Sequence, residues 1–538
     1  MKKPSRWVLV AAVLLAAIAA HLFPARAPSA DPADRSPEST VVRLAHVQLE
    51  PGMREAFAAV AGDYMAAHPG VRVEQIAVPR RVWASWLRTQ LIGDTAPDLI
   101  QLVDNDPNII LQNFQPLDVW MAQPNPHNAG TPLAGVAWKD TFVRPLVAPP
   151  VYWPVYLGYF SAPTTIFTQR LFYNRTLLRQ ITGKETLPDT FADFMALCDQ
   201  VRLWSASQAQ PVYAIASPRP TPSTDILFQN LMASTSQRMV ERIDRGFTLG
   251  GIASDGSRYM IHEALFSGAM TFRDPSIQAS LRLVREAGRH FQPGFLAADR
   301  DEAMFYFLQQ RALMMVTGSW DYQSIASQAG FEAAVQAIPL PGPEHPDYGR
   351  FVRGQTSEAD MSFRGAFALT KRSRQAEAAV DFLRYLTSFK AHEKFSALSG
   401  WVPAVRGVAP SEQVAPFYPR LDGYPRGFAW TVGVETNRLW QNHAHLLFAS
   451  EDGVERLTAT VEPLLHQALI GDELKERRES LGNLANYDAR AVADWALRRA
   501  GTEPLFTPAR RSELYESQNA LEREYFRSRY LLVKYGRP

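Results

Sequence analysis

The chain has 538 residues, with 56 Lys and Arg against 54 Asp and Glu. That balance excludes the strong basic field a nucleic-acid partner calls for, and the acidic field that would draw basic partners. At 46% hydrophobic and 20% charged, it has the composition of a folded protein with a substantial core, long enough for more than one domain.

Lys2, Lys3 and Arg6 precede and flank an apolar run over residues 7–20, and small residues follow at Ala25-Arg26-Ala27 and Ala27-Pro28-Ser29-Ala30. Charge, apolar stretch and small-residue site in that order predict a secretory signal over residues 1–30. The alternative is an uncleaved N-terminal anchor, since Leu22 and Phe23 extend the run past His21. The expected location is the periplasm, free or tethered to the inner membrane. Residues 31–40, polar with prolines, read as a linker.

Residues 41–47 read as a strand closed by a turn at Glu50-Pro51-Gly52. Met53, Phe57, Val60, Tyr64 and Met65 then recur at helical spacing until His68-Pro69-Gly70 ends the helix. Residues 71–76 alternate as a second strand, and Val82, Trp83, Trp86, Leu87 and Leu91 mark another helix. Pro97-Asp98 leads into a buried strand over 99–103. Strand and helix alternating at this spacing predict a mostly parallel sheet with helices on its faces. Residues 123–163, rich in proline, tryptophan and tyrosine, read as loop. Strand character resumes over 166–173. Pro188-Asp189-Thr190 starts a helix over 190–201, where the single cysteine, Cys198, sits among apolar residues and reads as core packing. With one cysteine, neither an intramolecular disulfide nor a cysteine-based metal site can form. A helix and a Gly-rich turn are expected over 221–256, a helix over 302–310 and a strand over 312–316. One long amphipathic helix is expected over 373–398, and strongly helical, charged chain over 453–535.

The order of these segments resembles family 1 of the extracellular solute-binding proteins, the class that includes maltose-binding protein. The resemblance is carried by His68-Pro69-Gly70-Val71-Arg72-Val73, Ala96-Pro97-Asp98-Leu99-Ile100, and Leu171-Phe172-Tyr173-Asn174-Arg175 followed by Leu187-Pro188-Asp189-Thr190-Phe191. Further along come Gln310-Arg311-Ala312-Leu313-Met314-Met315 leading to Gly318-Ser319-Trp320, then Gly365-Ala366-Phe367-Ala368-Leu369-Thr370, Ala378-Ala379-Val380-Asp381-Phe382-Leu383 and Gly400-Trp401-Val402-Pro403-Ala404. Arg311 departs from the family's commoner glycine. Neither the aromatic insertion at 123–163 nor the chain beyond about 430 is covered by the resemblance.

The resemblance implies an α/β fold of the two-lobed periplasmic-binding-protein kind (type II), with mixed, mostly parallel sheets flanked by helices around a hinged cleft. Lobe 1 is expected over 41–165 and 317–370, lobe 2 over 166–316 and 371–430, and 431–538 as a helical C-terminal extension packed on lobe 2. It further implies a monomer without cofactor or metal that captures a sugar or oligosaccharide by hinge closure and delivers it to the permease subunits of an ABC transporter. A ligand-sensing protein coupled to a membrane partner is the alternative.

Ligands of such folds sit where strand carboxyl ends face the crevice. A sugar needs hydrogen-bonding groups at its edges and aromatic rings against its C–H faces. The candidates are therefore Gln48 and Glu50, with His46, after the first strand; Asp104 and Asn105 after strand 99–103; Trp320 and Asp321 after strand 312–316; Trp401; and Tyr173. Several have a structural alternative: interlobe packing for Trp320, a capping turn for Asp104 and Asn105, a solvated turn for Gln48 and Glu50, and a structural position for Tyr173. A nucleophile elbow, a His-Glu-x-x-His zinc motif and a phosphate loop are all missing, which leaves a two-carboxylate glycosidase built on Asp104 and Asp321 as the enzymatic alternative, and a non-enzyme as the expectation.

Overall fold

A computed structural model describes residues 40–49, 51–103, 107–146, 149–153, 156–219, 226–243, 255–358, 363–424, 427, 430, 433–502, 506 and 508–536. The chain opens with β1 (Thr40–His46), α1 (Pro51–Ala67), β2 (Val71–Ala77), α2 (Arg80–Ile92) and β3 (Leu99–Leu102). Two short helices follow, α3 (Pro107–Asn113) and α4 (Asp118–Met121). The aromatic insertion is not all loop: it forms a small hairpin of β4 (Tyr152–Trp153) and β5 (Gly158–Tyr159). β1 lies between β2 and β3, parallel to both. β3 is buried on both faces because helices cover the sheet there, whereas β2, at the edge, carries Arg72 and Glu74.

A second sheet begins after β6 (Thr165–Ile166) with β7 (Gln169–Asn174). Asn174 caps α5 (Arg175–Thr182) by accepting from the Leu177 N–H, and Gly183 closes that helix with φ 72°. Thr190 caps α6 (Phe191–Ser205), and β8 (Tyr213–Ala216) follows. Next come α7 (Ile226–Ser234), α8 (Gln237–Ile243), α9 (Asp255–Ser267), α10 (Pro275–Gly288) and α11 (Arg300–Leu308). Then come β9 (Ala312–Gly318), α12 (Tyr322–Gln328) and β10 (Ala333–Gln336), and the strand order is β10-β7-β9-β8. Every residue of β9 is buried, as expected for a central strand.

The chain then returns to the first lobe. β11 (Phe363–Arg364) pairs with β6 in a ribbon, and β12 (Ala366–Leu369) adds antiparallel to β3. The predicted long helix is two, α13 (Ala376–Leu386) and α14 (Phe389–Ser399), broken at Thr387-Ser388. Both pack on α1, so residues 376–399 belong to lobe 1, while β10, paired with β7, belongs to lobe 2. The sequence division assigned both segments the other way, because amphipathic periodicity says that a helix has a buried face but not which sheet will bury it.

The last helices are α15 (Val434–His443), α16 (His445–Ala449), α17 (Gly453–Arg499) and α18 (Pro508–Tyr535). They are more than an appendage: Trp440, Leu447, Leu457, Val461 and Leu469 are buried in the core of the second lobe beside Phe228 and Leu283. No helix among the described residues is both long and apolar enough to cross a membrane.

Candidate functional site

Each lobe presents candidate side chains just after the carboxyl ends of its strands. In lobe 2, β9 ends at Gly318, paired with Gln169 at the start of β7. The turn that follows projects Trp320, whose ring lies over Gly318; a Cβ at Gly318 would collide with it. Trp320 meets Phe167 with centroids 5.0 Å apart, and both rings keep part of their surface open. The backbone clamps them together, since Ser319 N–H donates to the Thr168 carbonyl at 2.8 Å.

Gln169, the partner of Gly318, also lines a cavity of about 430 Å³ that opens at the ends of β7 and β10. Its walls include Gln169, Asn230, Gln237, Gln336, Glu358 and Arg420. Asn230 Nδ2 donates to Gln169 Oε1 at 2.8 Å, while Gln237 is used to hold the 353–356 loop through its contacts with Arg353 N–H (2.8 Å) and the Gly354 carbonyl (3.2 Å). Amides carry a donor and an acceptor each, so a wall of them suits vicinal hydroxyls, which also do both. The rim is anchored by buried Arg170, whose guanidinium pairs with Glu358 at 2.6 and 3.1 Å and also donates to the carbonyls of Pro416 and Tyr418.

In lobe 1, His46 ends β1 and is fully buried, stacked on Phe57 at 4.7 Å. Its Nδ1 accepts the Gln48 N–H at 3.1 Å. Desolvation lowers its pKa to about 4, so the ring is neutral. Gln48 is partly open to solvent. From His46, rings continue in contact through Phe57 and Phe395 (4.9 Å), Trp401 (6.4 Å), Phe167 (5.5 Å) and Trp320. The two half-sites are thus joined by one aromatic chain running through the crossover.

Of the sequence candidates, Trp320 and Gln48 stand at carboxyl ends with surface available. Glu50, Asp104 and Asn105 lie outside the described residues. Asp321 is occupied otherwise: its carboxylate is paired with Arg300 and accepts from the Thr317 hydroxyl, which pins the turn bearing Trp320. A glycosidase role for it meets that double engagement. Trp401 is 3% exposed, wedged against Phe167, Phe395 and Gly365, so it supports the ring pair from behind. Tyr173 is also 3% exposed; it lies in the lobe 2 core and donates to the Glu185 carbonyl at 3.1 Å, a structural position. Phe167, Gln169 and Asn230 were not anticipated. Phe167 and Gln169 fall inside a strand-like run, and nothing local distinguishes an amide on a cavity wall from a surface one. Among the described residues, no group of three or more His, Cys, Asp or Glu is placed to hold a metal ion.

Comparison with known proteins agrees with this architecture. The Multiple sugar-binding protein of Streptococcus mutans is 21% identical over 348 residues, covering 64% of this chain and 71% of that protein. The GacH receptor of Streptomyces glaucescens superposes with a TM-score of 0.51 at 16% identity, over 80% of this chain and 98% of that one. A chitin oligosaccharide binding protein does so with 0.51 at 14% identity, over 80% and 99%. The fold is the two-lobed type II periplasmic-binding-protein fold. Since the profile described as bacterial extracellular solute-binding protein spans residues 59–416, the chain belongs to that family.

Proposed function

We propose that this protein is an exported receptor that captures a sugar or short oligosaccharide between its lobes and passes it, unaltered, to the permease of an ABC transporter. The observation that carries the reading is the partly exposed Phe167–Trp320 ring pair on the same strand ends as Gln169, which lines a cavity that also carries the amides of Asn230, Gln237 and Gln336. Rings meet the C–H faces of a pyranose while amides meet its hydroxyls, and neither half alone would discriminate a sugar from a plain apolar or polar ligand. In this reading Trp320 and Phe167 stack the ligand, Gln169 and Asn230 hydrogen-bond it from lobe 2, and Gln48, Glu50, Asp104 and Asn105 do so from lobe 1. Support comes from the relatives' own ligands: a multiple sugar-binding protein, a chitin oligosaccharide binder and a receptor solved with acarbose. Export rests on the charged and apolar order of residues 1–30.

The test is calorimetric titration of the purified protein with a panel of mono- and oligosaccharides, followed by recovery of the bound sugar. Saturable binding with the sugar recovered intact is expected. Trp320→Ala should weaken it tenfold or more, since an aromatic stack contributes on the order of 1 kcal/mol beyond the area it buries. Binding of an amino acid or peptide in place of every sugar, or recovery of a cleaved sugar, would overturn the reading.

A further inference from the structure

The hairpin of α17 and α18 is rooted in one lobe and seated on the other. Its root is in lobe 2. Val461, Leu465 and Leu469 are core residues there, and the Asp472 carboxylate accepts the Glu435 and Thr436 N–H groups at the start of α15 (2.7 and 3.1 Å). Glu473 pairs with buried His262 of α9, and Ser528 of α18 donates to the Glu473 carbonyl at 2.9 Å. A Cβ at Gly433, just before α15, would strike Asp472, so the chain passes tightly over this root.

The tip is on lobe 1. Tyr487 and Leu514, both fully buried, close around Leu157 of the β4–β5 hairpin, with Phe506 and Leu521 at the margin. Arg490 Nη2 donates to the Tyr156 carbonyl at 3.1 Å. Asp494 stiffens the hairpin bend by gathering Arg498, Arg511 and the Phe506 N–H. The seat itself is firm. Trp153 and Tyr156 belong to the same apolar cluster as Val47 and Val103, which follow β1 and β3 at their cleft-facing ends. Leu157 is held at φ 51°, a conformation uncommon for leucine, which aims the β-hairpin tip at the helices.

We propose that this helical hairpin is an interlobe clasp: it holds the lobes close at the cleft rim, and the Leu157 seat must part before they swing wide. The covalent crossovers alone would leave the lobes free to rotate about the hinge. A second attachment, far along the chain from those crossovers, makes rotation depend on undocking Leu157 from Tyr487 and Leu514 and on parting Arg490 from the Tyr156 carbonyl. The inference rests on interlobe geometry and is independent of which solute is bound.

Spin labels on Val119→Cys in lobe 1 and Leu203→Cys in lobe 2, both exposed positions, report lobe separation in the full chain without ligand, and buried Cys198 stays unlabelled. Leu157→Gly removes the knob while relieving the positive φ, and Leu514→Glu places a carboxylate in the dry contact. Trypsin cleavage after Arg490, Arg498 or Arg511 monitors the tip. Expected for both variants is faster cleavage at the tip, together with a distance distribution shifted to longer separations and broadened. Two results would overturn the proposal: a freed tip with the parent distance distribution, or a tip that stays protected in both variants.

Discussion

Two buried histidines make the stability of this protein sensitive to mild acid, and His392 shows why. It is fully buried in α14, its Nε2 accepts the Ala404 N–H at 3.1 Å, and its Nδ1 faces the Leu386 carbonyl at 3.3 Å. That pattern uses one ring nitrogen as acceptor and one as donor, which only the neutral ring can do. Desolvation lowers its pKa from 6.5 to about 4, as for His46, which accepts the Gln48 N–H in the same manner. The folded state therefore binds fewer protons than the unfolded chain between pH 6.5 and 4. Stability is fully present above 6.5 and falls as pH drops through that window. At 1.36 kcal/mol per pKa unit, each histidine costs about 2 kcal/mol at pH 5 and roughly 3 kcal/mol once the pH passes below 4. Urea unfolding followed by tryptophan fluorescence at pH 7.5 and pH 5 measures it. His392→Gln keeps an acceptor near Ala404 without a titrating group, so its loss between the two pH values should be smaller than the parent's by about 2 kcal/mol. Identical losses in parent and variant would refute the argument.

Arg170→Met strands Glu358 at the cavity rim and should lower stability by about 3 kcal/mol in the same urea assay, more than loss of a surface ion pair such as Lys394–Asp63. Gly400→Ala should cost about 1–3 kcal/mol, because Gly400 sits at φ 66° and a Cβ there would strike the Gln323 side chain. Cys198, buried in α6 with its thiol pKa pushed up by desolvation, should resist a thiol-specific chromogenic reagent in the native state and react fully in denaturant.

How far the sequence reached can be judged from particular elements. The opening strand–helix–strand pattern, the helix start at Pro188-Asp189-Thr190 and the strand over 312–316 depend on neighbours a few residues away and are legible in the sequence, whereas the helix that Asn174 caps is not among the expected elements. Trp320 could be singled out because it follows a strand in a recognisable Gly-Ser-Trp turn. The same reasoning proposed Tyr173 and Trp401, which are packed away. A ring in a motif carries no local mark of which side of it faces solvent.

Hydrophobic period and helix-start chemistry are local properties of the chain, and they suffice for the opening alternation of strands and helices and the mostly parallel sheet it implies, while the two-lobed fold follows from the family resemblance. Long-range packing returns residues 376–399 to the first sheet and sets Phe167 beside Trp320. It alone decided that the end of the chain reaches back to Leu157. Those contacts join residues far apart in sequence, and which distant face fills a given apolar surface is set by packing the whole molecule, not by any short segment of it.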